Sequence, residues 1–254
     1  MIQAARRLNI ATLQNIILYE YLPAFLGEEV EGYEGYKSDL HPGISHVFQA
    51  AAFRYGHSLI PPGIYRRDGK CNFKRDYRQS PALRLCSTWW DAQGAMAGAD
   101  DSDHAAVEDI LRGLASQISE REDPFMCSDV RNKLFGPMEF SRRDLASLNI
   151  MRGRDSGLPD YNTVRKCFGL PMMSNWSDIN PELYKKHPGL FEGLERLYGS
   201  DCMGKIDLYV GGMLESTGDP GPLFKSIIKD QFKKLRDSDR FWFENEENGY
   251  ITSI

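Results

Sequence analysis

The chain has 254 residues, of which 41% are hydrophobic, 11% aromatic and 26% charged, and its 31 basic and 36 acidic residues give a net charge of −5. This is the composition of a soluble globular polypeptide, and it excludes disorder, collagen and coiled coil. The charges are spread without a long basic block, so no nucleic-acid surface is indicated.

The most apolar stretch, residues 8–26, is interrupted by Asn9, Gln14, Asn15 and Glu20 and cannot cross a bilayer as an uncharged segment. Residues 1–7 lead into it without the zones of a secretory signal, so the chain is either cytosolic or begins partway through something longer. Cys71, Cys86, Cys127, Cys167 and Cys202 form no C-x-x-C pair, which argues against a zinc ribbon or thioredoxin-type site. The sequon Asn175-Trp176-Ser177 says little about compartment.

From Ala4 to about Phe25, Ile10, Leu13, Ile17 and Tyr21 recur at helical spacing, which predicts an amphipathic helix ending near Gly27. Residues 28–35 are acidic and glycine-rich and read as a loop. Residues 43–60 give a second, alanine-rich helix stopped by Pro61-Pro62-Gly63, in which Ala50, Ala51 and Ala52 let something flat or bulky come close. Residues 71–80 are irregular. Asp100, Asp101, Ser102 and Asp103 offer cap oxygens for a helix to about Ile118. Short helices are predicted over Asp129–Leu134 and Ser141–Arg152, the latter capped by Ser141 with Asp144 following, and then a turn over Gly153–Gly157. Pro159 suits the first residue of a helix that Gly169 ends, and Pro222 opens a long basic helix through Ile227, Ile228, Phe232 and Leu235. Strand-like alternation is almost absent. The chain reads as all-α, with about eight helices, no repeat and no domain boundary. That class alone specifies no activity.

Among the five histidines, His57 lies inside an apolar helical pattern, where a hydrogen-bonded core role is commoner than metal ligation. Arg54, one turn earlier, shares its face. Together they suit a flat anionic cofactor such as haem, with iron on the imidazole and a propionate on the guanidinium. His46 falls roughly three helical turns before His57, on the same face but too far away to share a metal. His41, His104 and His187 read as solvated. Asn149 and Arg152 share one helical face. Arg152, Arg154 and Asp155 ordinarily cap and pair around a turn, while the Asn149 amide oxygen also suits accepting from the far nitrogen of a ligating imidazole. Spacing leaves both roles open. No G-x-S-x-G elbow, Walker lysine or G-x-G-x-x-G occurs, so neither a hydrolase triad nor a nucleotide site is indicated. Lys225, Lys229, Lys233, Lys234 and Arg236 read as a solvated helix face.

Three stretches, Phe53 to Ile60 with its Arg54-Tyr55-Gly56-His57 core, Leu148 to Asn162, and Phe224 to Asn245, closely resemble the animal haem peroxidase family in the same order. Residues 61–68, 83–86 and 210–216 further resemble the extracellular peroxidase-like domain of dual oxidases, especially the invertebrate type. The resemblance covers almost the whole chain, and it implies that residues 1–254 are the C-terminal part of such a domain. It implies an all-α haem peroxidase fold, incomplete and limited to the proximal half. In that fold His57 matches the iron ligand, Asn149 the asparagine bonded to its ring, and Arg54 and Arg152 two arginines near the haem edge. The family's distal histidine, catalytic arginine, calcium-binding loop and haem-linking carboxylates would lie upstream, so no catalytic residue is expected in this segment.

By the same resemblance, the full protein passes electrons from NADPH through membrane haems to oxygen and makes hydrogen peroxide. Its NADPH, FAD and calcium sites lie outside this chain, and this domain faces the extracellular side of a membrane. A dual oxidase maturation factor and the rest of the oxidase are the implied partners, with haem and hydrogen peroxide. Two other readings stand beside this one: a catalytically silent interaction or maturation module, and part of a secreted haem peroxidase acting on tyrosine or halide. An extracellular domain also suggests a Cys71–Cys86 disulfide, and the missing helices suggest an exposed apolar face.

Overall fold

The computed structural model describes residues 2–75, 80–88, 103–136, 138–199 and 203–248. Within them regular structure is almost entirely helical, with helices shorter and more numerous than the periodicity suggests, and one pair of short strands. No helix among the described residues is long and apolar enough to cross a membrane. The chain divides into two compact units, residues 1–55 with 152–254, and residues 56–151.

In the first unit a helix over Ile2–Ile16 continues through a π turn, Ile17–Tyr21, into Leu22–Leu26. Pro23 cannot donate a backbone hydrogen bond, and the wide turn sits where that break in the ladder must be absorbed. The helix stops where expected. Gly27 takes a left-handed φ of 70° and its N–H reaches the Pro23 carbonyl at 2.9 Å. Of Ile2–Ile16 only Ala11 is buried.

The helix predicted over residues 43–60 is not continuous. His46–Ala50 is α-helical, Ala51 leaves the helical region, and Ala52–His57 is a 3-10 helix. The break strands the Gln49 carbonyl, which accepts from Arg54 Nε at 2.9 Å. Helical periodicity therefore does not relate His46 to His57. Ala50, Ala51 and Ala52 are 2%, 0% and 0% exposed, so protein, not open space, covers them.

Pro222–Asp237 forms with its proline in the first turn as expected, and buries Leu223, Phe224, Ile227 and Ile228. Its basic face is partly paired rather than simply solvated. Lys229 lies 3.5 Å from Glu28 and 3.4 Å from Glu31, and Lys233 lies 3.2 Å from Glu31, so the acidic loop docks on the basic helix. Gln231 fixes the following stretch by accepting from Ser45 N at 2.8 Å. Tyr161–Cys167 begins slightly later than Pro159 predicts, because Asp160 is the residue that caps it, accepting from Thr163 N at 3.0 Å. Tyr161, Val164, Ile206, Leu208, Met213, Leu214, Leu223 and Phe224 are all buried.

In the second unit Gly63–Tyr65 pairs antiparallel with Ala82–Arg84. A helix over Asp103–Ala115 follows, and its expected cap residues Asp100, Asp101 and Ser102 lie outside the described residues. Just past it Gln117 clamps the strand, donating to the Gly63 carbonyl at 2.7 Å and accepting from Tyr65 N at 3.1 Å. Ser128–Asn132 is helical as predicted, one residue early. Ser141 is not the next cap; it closes a 3-10 turn over Glu139–Ser141. Asp144 instead accepts from Ala146 N at 2.9 Å and Ser147 N at 3.2 Å, starting the helix Leu145–Asp155. That helix runs through Gly153, so the predicted turn begins only after Asp155.

Candidate functional site

His57 ends the 3-10 turn Ala52–His57 and is half-buried. The residues after it are anchored. Ser58 is 1% exposed, the Leu59 carbonyl accepts from Glu120 N at 2.9 Å, and Ile60 packs on the buried cluster of Leu85, Val130 and Leu134. Leu145 and Leu148 pack on that same cluster from the helix Leu145–Asp155. One apolar cluster thus seats both segments, and their side chains meet above it: Asn149 Nδ2 lies 2.8 Å from His57 Nδ1.

Asn149 is fully buried at 0% exposure, so this amide is held, not solvated. With its nitrogen toward the ring it donates to Nδ1 and selects the tautomer with hydrogen on Nε2. Turned about its last side-chain bond, the amide offers oxygen instead, Nδ1 carries the hydrogen, and the Nε2 lone pair is released to a metal. Only the second arrangement leaves the Nε2 lone pair for a metal; in the first, Nε2 carries the hydrogen and can only donate.

Arg54 and Arg152 belong to the other unit. The Arg54 guanidinium is pushed below its ordinary pKa by burial first and by the charge of Arg152 second. An anion bound by both would relieve that repulsion. Arg154 does not pair around its own turn. It makes two bonds to Asp207, Nε to Oδ1 at 2.9 Å and Nη2 to Oδ2 at 2.7 Å, and that bond raises its pKa.

His41, His46 and His187 are exposed, and His41 Nδ1 accepts from Gly43 N at 2.9 Å. The side chain of His104 lies outside the described residues, as does Cys202. The expected Cys71–Cys86 bond is not formed: both are free thiols. Cys71 is exposed in a tight turn at φ 63°, whereas Cys86 faces Asp129, and its thiol pKa is raised by burial and then by that carboxylate.

The sequence alone gave no role to Glu215. It is 4% exposed, and its Oε1 accepts from Tyr161 Oη at 2.5 Å and from Arg165, itself 3% exposed. Its Oε2 accepts from Leu223 N at 2.8 Å. Burial and the nearby carboxylate together push the Tyr161 phenol well above its ordinary pKa. Nothing in the local pattern marks these residues, because their partners lie 50 and 54 positions apart.

Among the described residues no three His, Cys, Asp or Glu side chains converge on a metal position. One half-buried imidazole with a buried partner fits a metal that arrives with four ligands of its own, as haem iron does. The chain belongs to the animal haem peroxidase family, matching it over residues 1–253. It is similar to the Dual oxidase of Drosophila melanogaster, 62% identical over 250 residues, covering 98% of this chain and 16% of that protein. Dual oxidase 2 of Homo sapiens is 42% identical over 256 residues, covering 99% of this chain and 16% of that protein. Peroxidase A from Dictyostelium discoideum has the same fold with a TM-score of 0.78 at 34% identity, over 96% of this chain and 44% of that one. The chain therefore spans 16% of the length of the dual oxidases it matches.

Proposed function

We propose that residues 1–254 form the proximal part of the peroxidase-like domain of a dual oxidase, with His57 as the iron ligand of its haem. The observation that carries this reading is the 2.8 Å contact between His57 Nδ1 and the fully buried Asn149 amide. Similarity to dual oxidases over 98% of the chain supports it. Bound haem supplies the redox chemistry toward peroxide. This chain's own residues bind and tune it. His57 presents Nε2 to the iron, and Asn149, with its oxygen toward Nδ1–H, fixes the tautomer. A neutral amide leaves the imidazole less anionic than a carboxylate partner does, which keeps the iron easier to reduce. Arg54 and Arg152 neutralise the carboxylate edge of the cofactor.

In this reading the whole protein takes electrons from NADPH through FAD and membrane haems to oxygen. The peroxide so formed is used on the extracellular side by the complete peroxidase-like domain, and a maturation factor assists assembly. Haem titration of the complete protein tests the assignment of His57. His57→Ala is expected to lose the Soret band of this domain; an unchanged band overturns the assignment.

A further inference from the structure

Three aromatic rings lead from the surface to the turn that carries His57. Tyr21, on the π turn, is 46% exposed, and its ring stacks on Phe25 with centroids 5.6 Å apart and planes 12° from parallel. Phe25 stacks on Tyr55 at 4.4 Å and 28°. Tyr55 is only 3% exposed and stands two positions before His57 in the 3-10 turn. The hydroxyl oxygens of Tyr21 and Tyr55 are 3.5 Å apart.

A buried phenol needs a polar neighbour for its hydroxyl. Among the neighbours of the Tyr55 hydroxyl is a second phenol, on a residue that is 46% exposed, and that has a chemical consequence. Electron transfer falls off steeply with distance and is efficient between rings in contact. A phenol that loses an electron must also lose its proton, so two facing hydroxyls let both move together as one hydrogen atom.

We propose that Tyr55 and Tyr21 form a radical relay that delivers oxidising equivalents to the protein surface, where phenols too bulky to reach the cofactor, such as tyrosine side chains of other proteins, are oxidised by one electron each. The proposal rests on the haem reading above, and its oxidant is the peroxide-oxidised haem. Tyr55 gives that oxidant one electron and releases its phenolic proton to solvent by way of the Tyr21 hydroxyl, becoming a neutral radical. Tyr21 then passes its hydroxyl hydrogen atom to the Tyr55 oxygen, which restores Tyr55 and leaves the radical on Tyr21. An external phenol returns a hydrogen atom to Tyr21 and departs as a phenoxyl radical. In sum one electron and one proton leave the phenol; the electron ends on the haem and the proton in water.

The test uses the complete haem-loaded protein, hydrogen peroxide and a nitroso spin trap, with adducts located by peptide mass spectrometry. The wild type is expected to carry an adduct on Tyr21. Tyr21→Phe is expected to lose it with the Soret band unchanged, and Tyr55→Phe, which keeps Tyr21 and the shape of the buried ring, is expected to lose most of it. A wild type that consumes peroxide without a Tyr21 adduct, or a Tyr55→Phe protein with the wild-type adduct level, overturns the relay while leaving the haem reading intact. Absence of a Soret band in this domain of the wild type overturns both.

Discussion

The amide nitrogen of Asn149 stands 2.8 Å from Nδ1 of His57, and Asn149 has no solvent exposure. Because the same side chain can present nitrogen or oxygen, it permits both imidazole tautomers. A carboxylate can only accept. Asn149→Asp is therefore expected to hold the Nδ1–H tautomer, make the ring more anionic and lower the reduction potential of the bound haem. Asn149→Leu removes the tether, and haem affinity is expected to fall about 10–100-fold. Spectroscopic redox titration and haem titration check the two outcomes; an Asp variant with the wild-type potential contradicts the first.

Glu215 gathers Tyr161, Arg165 and the Leu223 amide in a space where the Arg165 and Glu215 side chains are 4% and 1% exposed. Glu215→Ala leaves the arginine charge buried and unpaired, and the expected loss is about 3–5 kcal/mol. Glu215→Gln keeps the shape and an acceptor, so a smaller loss is expected. Urea unfolding of the two variants measures the difference.

Gly211 and Gly212 lie on a buried helix against two aromatic rings. A Cβ at Gly211 would come within 2.3 Å of the Tyr161 ring, and one at Gly212 within 2.1 Å of the Phe224 ring. Alanine at either position forces a core ring to move, with an expected cost of about 1–3 kcal/mol by thermal or urea melts. Wild-type stability in both variants would mean that these rings do not hold their places.

Asp129 is expected to make the unit of residues 56–151 sensitive to acid. Burial works to raise its pKa, but the bonds from Arg84 and Cys86 N outweigh burial and hold it below the ordinary carboxylate value. A depressed folded pKa contributes stability that is present above the unfolded carboxylate range and is lost as pH falls through the lower, folded value. Asp129→Asn is therefore expected to be less stable than wild type at neutral pH, with the gap narrowing on acidification. Unfolding midpoints across that acid range give the measurement.

The helix Ile2–Ile16 exposes Leu8 and Leu13 at 50% and 56%, while Leu18 in the following turn is 2% exposed. Leu8→Glu and Leu13→Glu are expected to change stability by no more than about 0.5 kcal/mol. Leu18→Ala is expected to cost about 2–5 kcal/mol. A large loss from the glutamate variants in urea unfolding would show that this face is covered in solution.

The punctuation of the fold was legible residue by residue. Gly27 stops a helix because it takes a positive φ without strain, Pro222 opens one because its missing N–H is not needed there, and Asp129–Leu134 marks a short helix that forms nearly in place. The helical spacing of Asn149 and Arg152 was likewise readable. The break at Ala51 was not, since alanines favour a continuous helix and the interruption is completed by Arg54 reaching the Gln49 carbonyl.

Local propensity and side-chain chemistry, which act within a few residues, determined from the sequence alone a mainly helical chain and a few of its helix ends, such as those at Gly27 and Pro222. Only the tertiary structure decided that Arg154 pairs with Asp207, 53 positions away, and that Glu215 is the buried hub for Tyr161 and Arg165; it also brings Asn149 to His57 across 92 positions, a pairing that spacing left open and the family resemblance implied. The reason is physical: a polar group's partner is set by which groups are desolvated together, and burial is a property of the packed core, not of neighbouring letters.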